Sequence, residues 1–585
     1  YQPYRRKRLL LLRAIAAGTA ALQAQTQADY KWCSTYDDGA PMCNVNAICP
    51  AGDGSYFMAG TIGAGASTLM WNQQDITPEG GMNVTYQKGF TVGKVQADGS
   101  MLWSVTSNTA NVANNDIFIA ATPDGGVAMA CNATYSTAGA GAPVLITVCG
   151  TGDSEPLTIS SANAAEGKSP YAGVVIKFDK DGAIEWYDVV AANPFGGAEG
   201  NVYDANPINF KSLAADESGN VYVGGFNKTE ATYSTTSDNG ILPASANSAT
   251  NAAGTALTDG SSGFILKYEP MTGHHAVNEP AMAWQNNGQS AYAGLESVCG
   301  LTCDGTTLYF AMLANGLSSA DYLLNGVDIA INNELSGNVV YGAIATEDMR
   351  LMSANALAAE KGNSTTHATQ VKNFQLIDGV LALSMSANGS FSQNGDMITG
   401  TSTNKYEGVT MTISTATLNA VQGYCSGKNI GGDFLAIIDE EANTTYTAGY
   451  VMSDGILLHA FDTATGEYKN STQLSEKISS ISGACFNAET KDLLVCAYAK
   501  DLGTLCGSEA TAPVYSAFHG YLLCANLPQV NATSGIGAVE AGFSPADASA
   551  PAEYYSLQGI RIASPAPGTL VIRRQGNQVS KLIVR

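Results

Sequence analysis

The feature that most limits what this 585-residue chain can fold into is a phrase that recurs in register. Lys94, Asp98-Gly99 and Trp103 are matched, at identical spacing and between alternating apolar residues, by Lys177, Asp181-Gly182 and Trp186. A third copy runs from Lys267 to Trp284 with a longer turn. Alternation of period two marks strands. Asp-Gly between two such runs predicts a tight hairpin, whose turn needs positive φ that Asp tolerates and Gly prefers.

A second hairpin belongs to each phrase. It is clear at Asp53-Gly54, Asp124-Gly125 and Asp216 to Gly219, and fainter at Asp304-Gly305, Asp378-Gly379, 439–443 and 487–492. Two hairpins make a four-stranded unit. A chain this long exceeds the ~250 residues that one hydrophobic core usually supports, unless it grows by adding units. Three clear and four faint units predict an all-β fold, a β-propeller of about seven blades, with six or eight still compatible.

The ends of the chain test the circle. Trp32 stands 21 positions before Asp53, and Trp103 stands 21 before Asp124, so Trp32 reads as the last-strand tryptophan of a unit begun at the other end of the chain. A strand at Tyr30-Lys31-Trp32 is expected to complete the final copy, after 493–497 and 521–524, and to close the ring without open edges.

The phrase around Lys177 to Trp186, with Asp216 to Gly225, resembles a bacterial β-propeller repeat found in exported proteins, over about residues 30–530. The resemblance implies a fold and no catalytic position. Arg5, Arg6, Lys7 and Arg8 precede the apolar 9–12 and small-residue 14–21 stretches, which predicts a signal peptide over 1–24 and an exported protein. The propeller is then expected over 25–530, an Ala/Ser/Pro-rich linker over 531–552 and a short β tail over 553–585. The tail resembles the C-terminal sorting segments of type IX secretion in Bacteroidetes. It is basic, with Arg561, Arg573, Arg574, Lys581 and Arg585 against Glu553. Outer-membrane surface or extracellular space is the expected location, with the periplasm as the alternative.

Charge narrows the partners. The chain carries 28 Lys and Arg against 51 Asp and Glu, a net charge of −23, which disfavours nucleic acid and anionic membrane surfaces at long range. After the leader no stretch reaches the ~18 apolar residues of a membrane span. A monomer that binds a glycan or protein ligand is expected.

The candidates for chemistry are few. Of five histidines none sits in a metal or catalytic motif, and His274-His275 reads as loop. Twelve cysteines leave their pairing open, and Cys299 and Cys303 lack the second pair that a zinc finger needs. Gly167-Lys168-Ser169 lacks the earlier Gly of a phosphate loop, where Ala162 stands. Asp179-Lys180-Asp181-Gly182 has calcium-loop spacing, but Val190 occupies the position of the closing Glu. No metal or cofactor is expected, and the catalytic and ligand-binding residues stay unassigned. Asp462-Thr463-Ala464 resembles the O-glycosylation acceptor of some Bacteroidetes, which marks Thr463. A binding or scaffold module with polar loops at 134–169, 227–262 and 386–405 is the leading expectation. A glycan lyase or hydrolase using carboxylates at the channel and a structural surface-layer component are the alternatives.

Overall fold

The computed structural model describes residues 26–27, 30–37, 39, 43–63, 65–78, 89–109, 112–134, 144–149, 157–160, 171–192, 208–228, 230–232, 241–243, 249–250, 256–257, 261–271, 276–286, 296–314, 322–360, 368–400, 406–427, 430–451, 454–475, 479–499, 519–527, 552–555, 561–565, 570–575 and 578–583. The expected leader 1–24, residues 531–551 of the expected linker, His274, His275, His367 and Gly167-Lys168-Ser169 lie outside them. Contacts divide the chain into two compact units, Tyr1–Ser534 and Gly535–Arg585.

In the first unit each pair of hairpins becomes one antiparallel sheet. Sheet I runs Asn44–Pro50, Tyr56–Ile62, Gly89–Val95, Met101–Thr109 in spatial as in chain order. Sheets II to VI repeat this plan from the first strands Val112–Ala121, Ile208–Ala215, Glu296–Cys303, Ala368–Ile377 and Ile430–Asp439. Sheet VII is composite. Its strands Ser479–Asn487, Asp492–Ala499 and His519–Asn526 are completed by Trp32–Asp37, antiparallel, with Trp32 opposite Cys524. The first strand of each sheet packs beside that of the next, and the succession returns from sheet VII to sheet I. This is the β-propeller architecture, and among the described residues the ring holds seven such sheets.

The repeat residues explain how the sheets are joined. Each turn glycine of the phrase lies at positive φ, +87° at Gly99 and +88° at Gly182. The preceding Asp does not share that conformation. Asp98 Oδ1 accepts the backbone N–H of Ser100 at 3.0 Å, whereas in the second copy Asp179 Oδ1 accepts that of Ala183 at 2.8 Å, so a carboxylate fixes each turn through its side chain. In the shorter turn at Asp378-Gly379 both residues take positive φ, +46° and +79°. The tryptophan reaches into the next sheet. Trp103 Nε1 donates to Lys180 O at 2.9 Å and Trp32 Nε1 to Ala97 O at 2.8 Å. Trp186 stacks on Tyr268 of sheet III, and Trp284 leans on Phe310 of sheet IV.

The lysines tie the two hairpins of one sheet together. Lys94, almost wholly buried, pairs with Asp53 at 2.8 Å, and Lys177 with Asp124 at 2.8 Å. Lys267 departs from the pattern. Asp216 is taken by Asn220 and Tyr222, and Lys267 donates to Thr346 O of sheet IV at 2.8 Å.

Parts of the insertions expected as presented loops extend the preceding sheet, while Ala249–Thr250 and Ala256–Leu257 pair only with each other. Residues 134–171, between strands two and three of sheet II, contribute Val144–Cys149, which pairs with the outer strand of sheet I and with Leu157–Ser160. Ala231–Thr232 extends sheet II, Ser390–Gln393 extends sheet IV, and Met70–Trp71 extends sheet VII in the same way. Outer edges that would offer unpaired backbone groups are thereby covered.

Apolar clusters fill the seams between sheets I and II, II and III, III and IV, IV and V, VI and VII, and VII and I. The V–VI seam differs. There Asn373 Nδ2 donates to Phe434 O at 2.9 Å, Ala436 N to Gln375 Oε1 at 3.1 Å and Thr410 Oγ1 to Asp433 Oδ2 at 3.0 Å.

The second unit contains one four-stranded sheet in the order Arg561–Ile562, Ala552–Tyr555, Leu570–Gln575, Gln578–Ile583. Ala552, expected at the end of the linker, begins a strand.

Candidate functional site

One cavity, of about 230 Å³, lies where the first strands of all seven sheets converge. The convergence is built by a recurring irregularity. In sheet I the pairing between the first two strands skips Asn46, in III Lys211, in IV Cys299, in V Lys372, in VI Phe434 and in VII Ser482. A β-bulge of this kind leaves one residue unpaired and turns its side chain out of the ladder. All six bulge residues line the cavity.

Several of them are engaged within the scaffold, two of them by joining sheets. Lys211 donates to Asp116 Oδ2 of sheet II at 2.6 Å. Ser482 donates to Val45 O of sheet I and to Cys496 O at 3.2 Å. Asn46 Oδ1 accepts from Thr61 N at 2.9 Å and Thr61 Oγ1 at 3.1 Å. Burial pushes the Cys299 thiol up to about 12, so it stays protonated and unreactive at neutral pH.

Lys372 stands apart. Its Nζ donates to Gln370 Oε1 at 3.0 Å and lies 5.4 Å from the centre of the Phe434 ring. Among the described residues it makes no ion pair, and burial lowers its pKa below the ordinary lysine value. An ammonium in a small, partly desolvated cavity attracts an anion more strongly than the same group at a wet surface. Among the described residues, no Asp or Glu lines the cavity. Ligand pockets that enclose whole drug-sized molecules run to about 300–1,000 Å³, so this one suits a single charged group.

Beside the cavity, Asp433 is buried in the V–VI seam, with Oδ1 against Gly408, where a Cβ would meet it at 2.2 Å. Burial pushes its carboxyl up to about 7, although the hydroxyls of Thr410 and Thr447 favour the charged form.

The residues singled out from the sequence lie elsewhere. Trp32, Lys94, Asp98, Gly99, Trp103, Lys177, Asp181, Gly182, Trp186, Lys267 and Trp284 do not line the cavity. Asp181 pairs with Lys180, and Asp179 Oδ1 accepts from Asp181 N and Ala183 N, so both carboxylates serve the turn. Thr463 is half-buried, its hydroxyl 3.1 Å from Thr445 Oγ1. Cys299 and Cys303 are both free thiols, and Cys33 is disulfide-bonded. Lys372 and the other bulge residues were missed, although one signal exists. Lys211, Cys299, Phe434 and Ser482 each stand five positions before the first polar residue of their hairpin turn, Asp216, Asp304, Asp439 and Asn487.

No protein family's sequence model matches the chain, and no curated protein matches it. Among solved structures it is similar to the polysaccharide lyase Uly1, with a TM-score of 0.37, 8% identity and 83% of this chain against 90% of that one. The quinohemoprotein alcohol dehydrogenase ADHIIG from Pseudomonas putida HK5 gives a TM-score of 0.35, 12% identity and 86% against 77%. The Dos1 propeller gives 0.31, 10%, and 85% against 94%. Likeness at this level transfers no activity, and the β-propeller assignment rests on the chain's own ring of sheets.

Proposed function

We propose that this chain is an exported cell-surface binding module whose glycan or protein ligand places an acidic group against Lys372 in the central channel. The observation that carries the reading is the ammonium of Lys372, which has no carboxylate partner among the described residues in a cavity without acidic lining. The net charge of −23 repels anions at a distance, but beyond a Debye length of about 8 Å that repulsion is screened, and the local ammonium decides. A disulfide at Cys33 accords with export to an oxidising compartment, and the tail is read as a sorting segment.

Hydrolysis by paired carboxylates finds no support in the cavity lining. Glycan elimination is the second reading, because burial moves Lys372 toward the range of a general base. An array of acidic and neutral glycans and peptides, with product analysis, tests both. Binding of acidic probes without turnover is expected. Unsaturated products would replace the binding reading with elimination. Self-assembly in light scattering with no ligand bound would favour a structural role.

A further inference from the structure

The ring closes where Trp32–Asp37 joins sheet VII and the chain then passes to Asn44–Pro50 of sheet I. Three side chains meet at this seam, two from the segment that leads into sheet I and one from far along the chain. Asp37 ends the closing strand, Cys43 immediately precedes the first strand of sheet I, and His519 begins the neighbouring strand of sheet VII. His519 Nδ1 lies 3.3 Å from Asp37 Oδ1, and one ligand atom from each residue falls within 4.8 Å of the others. Cys43 and His519 are each 1% exposed, and Asp37 is the partly exposed member.

We propose that Asp37, Cys43 and His519 form a transition-metal site, best suited to zinc, that clamps the two ends of the chain together at the ring closure. The donor set decides the class of ion. Calcium and magnesium prefer oxygen alone, whereas one thiolate, one imidazole and one carboxylate match zinc. The geometry agrees. Zinc bonds to nitrogen and oxygen of about 2.0–2.1 Å at a tetrahedral angle put those two atoms about 3.3 Å apart. Three protein ligands leave the fourth position to water, on the side of Asp37.

The Cys43 thiol donates to Tyr36 O at 3.1 Å. On binding, its proton passes to solvent and the sulfur becomes a ligand. Metal bound only by the closed ring stabilises closure by mass action. The inference is independent of any ligand in the channel.

The test uses the full chain, stripped with a chelator and titrated with Zn²⁺ alone and with Co²⁺ alone. Tight binding at the seam, a Co²⁺ spectrum with a thiolate charge-transfer band and a rise in Tm with Zn²⁺ are expected. Cys43→Ser should lose that band. Asp37→Asn should weaken Zn²⁺ binding by more than the roughly 10–100-fold typical of losing a mere supporting contact. No tight binding, or a Co²⁺ spectrum of the unaltered chain without the thiolate band, overturns the site, whether or not the variants fold. Unchanged binding in both variants overturns it as well.

Discussion

The indole of Trp103 donates to Lys180 O at 2.9 Å across the seam between sheets I and II. The indole of Trp32 makes the equivalent bond to Ala97 O, at 2.8 Å, across the seam where the ring closes. The tryptophan of the repeat is therefore a bolt between neighbouring sheets. Trp103 is 8% exposed and packs on Phe57 within its own sheet. Trp103→Ala leaves both a cavity and an unbonded carbonyl, and should cost about 3–5 kcal/mol in denaturant unfolding. A loss below about 1 kcal/mol would mean that the seam does not depend on it.

Gly99 shows why the turn of the phrase keeps glycine. Its φ is +87°, and a Cβ there would meet Trp32 Cε3 at 2.8 Å. Gly99→Ala should destabilise by the ~1–2 kcal/mol of a left-handed non-glycine residue, and by more if the indole is displaced. Combining it with Trp32→Ala should relieve the clash, so the double-mutant cycle should show less than additive loss. Additivity would place the indole away from the turn.

Asp433 gives the protein a pH-dependent seam. Its carboxyl is held at about 7 by burial, against about 4 in an unfolded chain. The folded state binds this proton more tightly, so the contribution to stability is full below about pH 4, falls as pH rises to about 7, and stays lost above that. Asp433→Asn should flatten this limb of a Tm-against-pH curve, raising Tm at pH 8 relative to the unaltered chain and leaving the two alike near pH 4. An unchanged limb would assign it to other groups.

Much of the scaffold was legible in the sequence, because the turns and seams need particular residues at fixed spacing. Lys94, Asp98-Gly99 and Trp103 each perform a local task, so each leaves a mark that repeats. The hairpins at Asp304, Asp378, Asp439 and Asn487 were fainter, since several residue types satisfy a turn, yet all four join paired strands. The cavity was not legible. Its shape depends on bulges in six of the seven first strands, and any side chain can occupy a bulge, so Asn46, Lys211, Cys299, Lys372, Phe434 and Ser482 follow no common residue type. The cluster of Asp37, Cys43 and His519 has no motif spacing, because only ring closure brings its members together. Within the insertions read as presented loops, Val144–Cys149, Ala231–Thr232 and Ser390–Gln393 also pair with the outer strands of neighbouring sheets, which the sequence did not announce.

The most direct test of the account is calorimetric titration of the full chain with a short oligouronate and with oligoglutamate, each against its neutral counterpart, repeated on Lys372→Gln. The account predicts saturable binding of at least one acidic probe, weak or absent binding of its neutral counterpart, and at least a tenfold loss of affinity in Lys372→Gln with Tm retained. Equal affinity for charged and neutral probes, no binding of either acid, or acid binding that Lys372→Gln leaves intact would contradict it.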